Sequence, residues 1–238
     1  MKYKMAKCAW CGDKKAKNFH ARISWRNLDS SWYKCAKCGS LMILPLPSKK
    51  EITKVYENDY LTQRHQPHPG VDLRLRFSRE YRPTVFAEYS LSLEDVHVKK
   101  KEVKSVLDFG CADGVFLEFC RNYFNPSTQL YGTDLSKDLL NQARKNGWNV
   151  FSLEEMNNIT TKFDLITLWD VIEHVEDPAA VISSLKKMLA PKGRIFMETP
   201  RVGLLAELYG DQWPHLLPVQ HIGLATKEGM EKLAERMG

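Results

Sequence analysis

The 238 residues carry 35 Lys and Arg against 29 Asp and Glu, a net charge of +6, and are enough for one large α/β domain or a mid-sized one with a small satellite. No apolar run approaches the ~18 residues of a membrane-spanning helix, and the basic, cysteine-interrupted start MKYKMAKCAW does not read as a signal peptide, so no membrane partner and a cytoplasmic location are expected. Residues 1–50 hold 12 Lys and Arg against 2 Asp and Glu, the rest 23 against 27. That basic segment reads first as solvated surface, and only second as a dock for nucleic acid.

Four of the six cysteines form two knuckles, CAWCG (Cys8, Cys11) and CAKCG (Cys35, Cys38). In a reducing compartment this spacing argues for a metal and against disulfides, and four thiolates suit tetrahedral zinc first, with iron the alternative ion. With every position taken by protein the site is predicted to be structural, supplying much of the module's folding free energy. The alternating stretch between the knuckles, NFHARISWRNLDSSWYK, predicts a hairpin, hence a zinc-ribbon-like module over 1–47. Cys111 and Cys120 read as small packing residues.

Prolines in LPLPSKKEI mark a boundary. A helical connecting or lid segment is expected over 48–103, with one or two helices around the Pro67–Gly70 break and another running through Phe86. Its aromatics, Tyr56, Tyr60, Phe77, Tyr81 and Phe86, read as packing residues ahead of pocket-lining ones. His65 and His68 lie in a polar loop and are assigned no role.

From Ser105 strands and helices alternate. SVLDFG, QLYGTDL, NVFS, FDLITLWD and RIFMETP read as strands; GVFLEFCRNYF, SKDLLNQARKNG and PAAVISSLKKMLAPKG read as helices. This predicts a doubly wound, Rossmann-like, mostly parallel sheet over 104–238, with ligands at the carboxyl ends of its strands. The loop Gly110-Cys111-Ala112-Asp113-Gly114 is not the G-x-G-x-x-G of dinucleotide sites. Asp108 and Asp113 beside it argue against a diphosphate, which needs a loop free of negative side chains. They suit a ligand bearing an ammonium and a sulfonium. Asp134, ending the next strand, is placed to accept hydrogen bonds from ribose hydroxyls. A cationic, ribose-bearing, phosphate-free ligand is S-adenosylmethionine.

VLDFGCADGVFLEF, LYGTDLS and FDLITLWDVIEHVEDP resemble the successive motifs of class I S-adenosylmethionine-dependent methyltransferases of the broad small-molecule and quinone group. The resemblance runs from Ser105 to about Pro200. The two knuckles followed by LPLPSKKEITKVYENDYL resemble bacterial members with a zinc-ribbon head, often associated with glycan or secondary-metabolite pathways. The resemblance implies that Asp108, Gly110, Ala112 and Gly114 surround the methionine end of the cofactor. It implies Asp134 on the ribose, Leu135 on the adenine face, Leu153 and Glu154 at the adenine edge, and Trp169 under the methionyl group. Ala112 stands where the family has a glycine. The family fold also closes with two further strands, which this chain, ending at Gly238, lacks, so an early end to the sheet or a truncated domain is expected.

Methyl transfer is an in-line displacement that positioning can accelerate, with a base needed only when the acceptor must lose a proton. His174 and His221 are the candidate bases. Asp170, Glu173 and His174 are an alternative divalent-cation set, and hydrogen-bonded loop capping by Glu173 and His174 is the plainer reading. Trp213, His215 and His221 are candidate substrate-pocket residues, each read singly as structural ahead of catalytic. The expected function is methyl transfer to a small-molecule acceptor such as a sugar, glycan precursor or other metabolite. One alternative is an RNA methyltransferase docking through the basic module, against which stand the absence of an N-P-P-Y-like motif and of base-stacking aromatic spacing. Another is a non-catalytic interaction protein with a degenerate fold.

Overall fold

A computed structural model describes residues 7–14, 16–25, 28–48, 50, 80–216 and 220–238, and the side chains of all of these except 16–30. The helices expected over 51–79, with Tyr56, Tyr60, His65, His68 and Phe77, lie outside the described residues. The chain divides into two compact units. A sheet unit comprises Tyr56–Leu168 and Lys187–Phe196; a ribbon unit comprises Met1–Val55, Trp169–Lys186 and Met197–Gly238.

Short apolar runs become buried strands in the sheet unit. β4 (Ser105–Phe109), β5 (Gln129–Asp134), β6 (Asn149–Ser152), β7 (Phe163–Trp169) and β8 (Leu189–Glu198) form a five-stranded sheet in the order β6-β5-β4-β7-β8. β4 pairs in parallel with both β5 and β7, and β5 with β6. The order reverses direction between β4 and β7, the kind of switch point at which doubly wound sheets hold ligands. Leu107, Leu165 and Ile166 are essentially inaccessible, each contributing roughly 1.5–3 kcal/mol by burial. Asp164 fastens the other end of the sheet, its Oδ2 accepting from the amides of Lys104 at 2.8 Å and Ser105 at 3.1 Å.

Helix α1 (Arg82–Asp95) realises the helix expected through Phe86. Phe86 and Tyr89 pack on Phe116 and Phe119 of α2 (Val115–Tyr123) at centroid distances of 5.0–5.7 Å, which makes Phe86 a packing residue. α3 (Lys137–Lys145) starts where Ser136 Oγ accepts from Leu139 N at 3.4 Å, a side-chain N-cap, and buries Leu139, Leu140 and Ala143. α4 (Pro178–Lys186), in the ribbon unit, is shorter than the sequence predicts. The chain leaves helical geometry where Phe163 N bonds to Met188 O at 2.9 Å, and Leu189–Pro191, expected as helix, opens β8.

The ribbon unit carries the expected hairpin, β1 (Ala16–Trp25) antiparallel to β2 (Leu28–Cys35), followed by β3 (Leu41–Leu44). Its fourth strand comes from the far end of the chain: β9 (Gly223–Leu224) pairs antiparallel with β3, Leu41 opposite Leu224. Among the described residues, then, the large sheet ends at β8, and the next strand joins the ribbon. A core of Trp32, Leu41, Ile43, Ala206, Trp213, Leu216, Ile222 and Leu224 unites residues far apart in sequence, Ala206 coming from α5 (Leu204–Tyr209). α6 (Lys227–Met237) is capped by Thr226 Oγ1, which accepts from Gly229 N at 3.0 Å. Near its end Arg236 donates to the carbonyls of Ala9 and Trp10 at 3.1 and 2.7 Å.

Candidate functional site

The four knuckle cysteines converge. Cys8 and Cys38 sulfurs lie 3.8 Å apart, those of Cys11 and Cys35 3.5 Å, and all four fall within 4.8 Å of one another. Tetrahedral zinc with bonds of about 2.3 Å has sulfur–sulfur edges of ~3.8 Å, so the set fits that ion. Gly12 and Gly39, at φ +79° and +73°, make the turn after each pair, their amides bonding back to the carbonyls of Cys8 and Cys35. The bond from Cys8 draws the Cys38 thiol down to about 5 against the opposing effect of burial, with Ser40 assisting at 3.3 Å; the same bond and burial push Cys8 far up. Four buried sulfurs in such proximity ionise together only around a cation.

In the sheet unit, all the predicted cofactor residues except Trp169 gather at the carboxyl ends of β4, β5 and β6. Gly110 and Cys111 amides bond to Thr133 O at 2.7 and 3.0 Å, turning the loop across the end of β5. The Asp134 carboxylate accepts from Ala112 N at 2.9 Å through one oxygen and from Ser136 N at 2.8 Å through the other. Asp134 therefore ties the glycine loop to the start of α3. Ala112 itself has φ +48°, a left-handed conformation a glycine would adopt more cheaply; its bond to Asp134 offsets part of that cost. Gly114, at φ +95°, caps α2, and a Cβ there would fall 2.4 Å from Trp148 Cδ1. Its lack of a side chain thus serves packing against Trp148, which lies under the Arg121 guanidinium at 4.1 Å. Leu135 is 47% exposed despite its size. Ser152 pairs with Asp134, so Leu153 and Glu154 leave β6 beside the end of β5.

Asp108 is only 2% exposed and accepts from Thr167 Oγ1 on β7 at 2.8 Å. Burial raises its carboxyl to about 7, the Thr167 hydroxyl pulling the other way and the charge of Asp134 adding to the rise. Cys111 and Cys120 are buried and their thiols are pushed up, chiefly by desolvation, as inert packing residues should be. Trp169 ends β7 and belongs to the ribbon unit.

The ribbon unit brings His174 and His221 together. The pair Glu173 and His174 sits in a single 3-10 turn, Ile172–His174, directly after β7, and His221 precedes β9. Their rings stand 4.9 Å apart. His174 Nδ1 meets the Gln220 carbonyl, and His221 Nδ1 the His215 carbonyl at 2.7 Å. Both Nε2 atoms face Glu173 Oε1, at 3.8 and 4.0 Å. Glu173 is fully buried; its Oε2 accepts from Thr199 Oγ1 at 2.8 Å and its carbonyl from Ile222 N at 2.9 Å. Desolvation raises the Glu173 carboxyl to about 8, with Asp170 next in effect, and desolvation lowers His174 despite the Gln220 and Asp170 main-chain bonds.

The metal-competent acid and histidine cluster among the described residues is thus Glu173, His174 and His221, with His221 where the sequence suggested Asp170. Asp170 instead turns the chain at φ +50°, its amide bonded to Glu198 O at 3.0 Å. Trp213, a candidate pocket residue from the sequence, is 6% exposed and belongs to the ribbon core with Trp32, Leu216 and Ile222. His215 contributes its carbonyl to His221. Sequence reasoning missed Thr167, Trp148 and Thr199. A lone threonine inside the apolar run of β7 was the available signal for the first; the other two had none.

A family model described as a methyltransferase domain matches residues 79–238. Curated relatives include a ubiquinone biosynthesis O-methyltransferase of Xanthomonas oryzae pv. oryzae, 31% identical over 126 residues, covering 48% of this chain and 52% of that protein. Another, of Pasteurella multocida, is 32% identical over 114 residues, covering 40% and 46%. The chain spans about half the length of the curated relatives it matches. Among solved structures, the plantazolicin methyltransferase BpumL in complex with SAH superposes with a TM-score of 0.56 at 16% identity, covering 79% of this chain and 74% of that one. The magnesium protoporphyrin IX methyltransferase of Synechocystis PCC 6803, with bound SAH, also gives 0.56, at 15% identity and coverage of 80% and 89%. At such identity the likeness shows the fold. With a family match over more than half its length and a parallel sheet of the same kind, the chain belongs to the methyltransferase domain family, with the fold of the class I S-adenosylmethionine-dependent enzymes.

Proposed function

We propose that the protein transfers a methyl group from S-adenosylmethionine to a small-molecule acceptor, and that its ribbon holds a structural zinc ion on Cys8, Cys11, Cys35 and Cys38. The observation that carries the cofactor assignment is the junction of Asp134 with the Ala112 loop. It leaves a carboxylate at the carboxyl end of β5, next to an exposed leucine and beneath a loop bent by Gly110, Ala112 and Gly114. These residues fit the group. Asp134 would take the ribose, Leu135 one adenine face and Leu153 with Glu154 the adenine edge. Asp108 acts from behind the loop, its carboxyl poised near neutrality to gain negative charge when an ammonium approaches. When bound, the cofactor supplies a sulfonium-activated methyl group. The chain orients it and excludes water, the contribution that in-line displacement most needs. The likeness of curated relatives to quinone O-methyltransferases favours an oxygen on a small organic acceptor. Of the two predicted bases, His174 is held below its ordinary range by burial, and the rings of both face Glu173, a geometry better suited to holding something than to carrying protons.

Calorimetric titration of the zinc-loaded protein with S-adenosylhomocysteine tests the reading, with Asp134→Asn and Asp134→Ala as variants. Micromolar affinity is expected for the wild type, about 10-fold to 100-fold weaker in Asp134→Ala, because a charged acceptor is lost. Asp134→Asn, which keeps one oxygen for Ala112 N, falls between them. Absence of binding by the folded, zinc-loaded wild type, or undiminished binding by folded Asp134→Ala, overturns it.

A further inference from the structure

We propose that Glu173, His174 and His221 form a second metal site, a two-histidine, one-carboxylate set that binds a divalent transition-metal ion, zinc(II) in the first instance. The site is separate in its ligands from the four cysteines, and it lies wholly within the ribbon unit.

The geometry supports this at three levels. First, one ligand atom from each residue falls within 4.8 Å of the other two, and Glu173 Oε1 stands 3.8 Å from His174 Nε2 and 4.0 Å from His221 Nε2. Nitrogen and carboxylate ligands at about 2.0–2.2 Å from tetrahedral zinc are about 3.3–3.6 Å apart, so each carboxylate–imidazole edge closes on an ion with a shift of a few tenths of an ångström, and the third edge lies within 4.8 Å. Second, both imidazoles are oriented as metal-bound histidines are. Each presents Nδ1 to a main-chain carbonyl, of Gln220 or His215, which places the proton on Nδ1 and turns Nε2 to the shared centre. Third, Glu173 is wholly buried, one oxygen held by Thr199 while Oε1, the atom facing both rings, has no hydrogen-bond partner. A buried carboxylate oxygen without a donor is rare in folded proteins, and a cation between it and two imidazoles would satisfy it.

The ligands come from two separated segments, the turn after β7 and the loop before β9, already joined by Ile222 N to Glu173 O. An ion there would clamp the loop that delivers β9 to the ribbon sheet. Three protein ligands leave a coordination position open, unlike the closed cysteine site.

The test counts metal in the untagged full-length protein after equilibration with excess zinc and removal of loosely held ion. The expected content is two equivalents per chain, falling to one in Glu173→Gln and in His174→Ala/His221→Ala. Cobalt(II) loading of the wild type, which requires no variant to fold, should then give thiolate charge-transfer absorption from one equivalent and the weaker bands of a nitrogen and oxygen site from a second. One equivalent in the wild type, with cobalt bands from thiolate ligation only, overturns the proposal, as does retention of two by folded variants. Metal content is read without cofactor or acceptor, so failure of S-adenosylhomocysteine to bind would bear on the methyltransferase reading and leave this count unaffected.

Discussion

The two units of this protein are held by different physics. In the sheet unit, strands such as β4 and β7 bury nearly every side chain, and polar groups at the strand ends are paired to one another, Asp108 to Thr167 and Asp134 to the loop amides. In the ribbon unit, short strands and a modest apolar core accompany two clusters of side chains that could hold a metal ion, one of four sulfurs and one of an acid with two imidazoles. A sheet of buried aliphatic strands is stable by area, whereas a small ribbon needs a further cross-link.

The largest effect that would break this comparison comes from removing the cysteine site. Cys8→Ser/Cys38→Ser should forfeit metal-linked folding energy on the order of 10 kcal/mol in the ribbon unit. Native-state hydrogen exchange is the readout: amides of β2, β3 and β9 should lose protection while those of β4, β5 and β7 keep it. Equal loss in both sets would show that the two units fold as one.

A smaller effect belongs to the sheet unit and has a definite sign. The folded state raises the Asp108 carboxyl from 3.8 to about 7. Between those values it holds a proton that the unfolded chain has released, so the contribution to stability is complete below about 4 and lost as pH rises through 7, at most about 4 kcal/mol. Asp108→Asn, whose amide oxygen still accepts from Thr167 without titrating, should therefore gain on the wild type between pH 5 and pH 8. Exchange of β4 amides at the two pH values measures it. A pH-independent difference would mean that Asp108 is charged throughout.

The same contrast explains what the sequence disclosed. Buried parallel strands announce themselves as apolar runs, and carboxylates and glycines at strand ends mark where a loop turns, so the sheet and the placing of Asp134 beside its loop were legible. The cysteine pairs were legible because two-residue spacing has few other uses. β9 was not, since Gly223–Leu224 is too short to carry a period and its pairing is long-range. The grouping of His221 with Glu173 and His174 was hidden for the same reason: it depends on the path of a loop. The place of Trp213 in the ribbon core was not legible beyond a structural reading, because it depends on long-range packing with residues such as Trp32.

The finest comparison sets one exposed leucine against others. Leu135 follows Asp134 on the sheet unit and is 47% exposed; Leu208 on α5 of the ribbon unit is 71% exposed. Neither side chain has enough burial to contribute much to folding, so Leu135→Ala and Leu208→Ala should each change stability by no more than about 0.5 kcal/mol. If Leu135 lies against an adenine, the apolar area covered on binding is worth about 1 kcal/mol, and Leu135→Ala should weaken S-adenosylhomocysteine several-fold in calorimetry while Leu208→Ala leaves it unchanged. Equal affinities in the two variants would remove Leu135 from the binding surface, and a stability loss in Leu135→Ala would make it a packing residue of α3. An affinity change without a stability change is the signature of a side chain kept exposed in the empty protein because a ligand covers it.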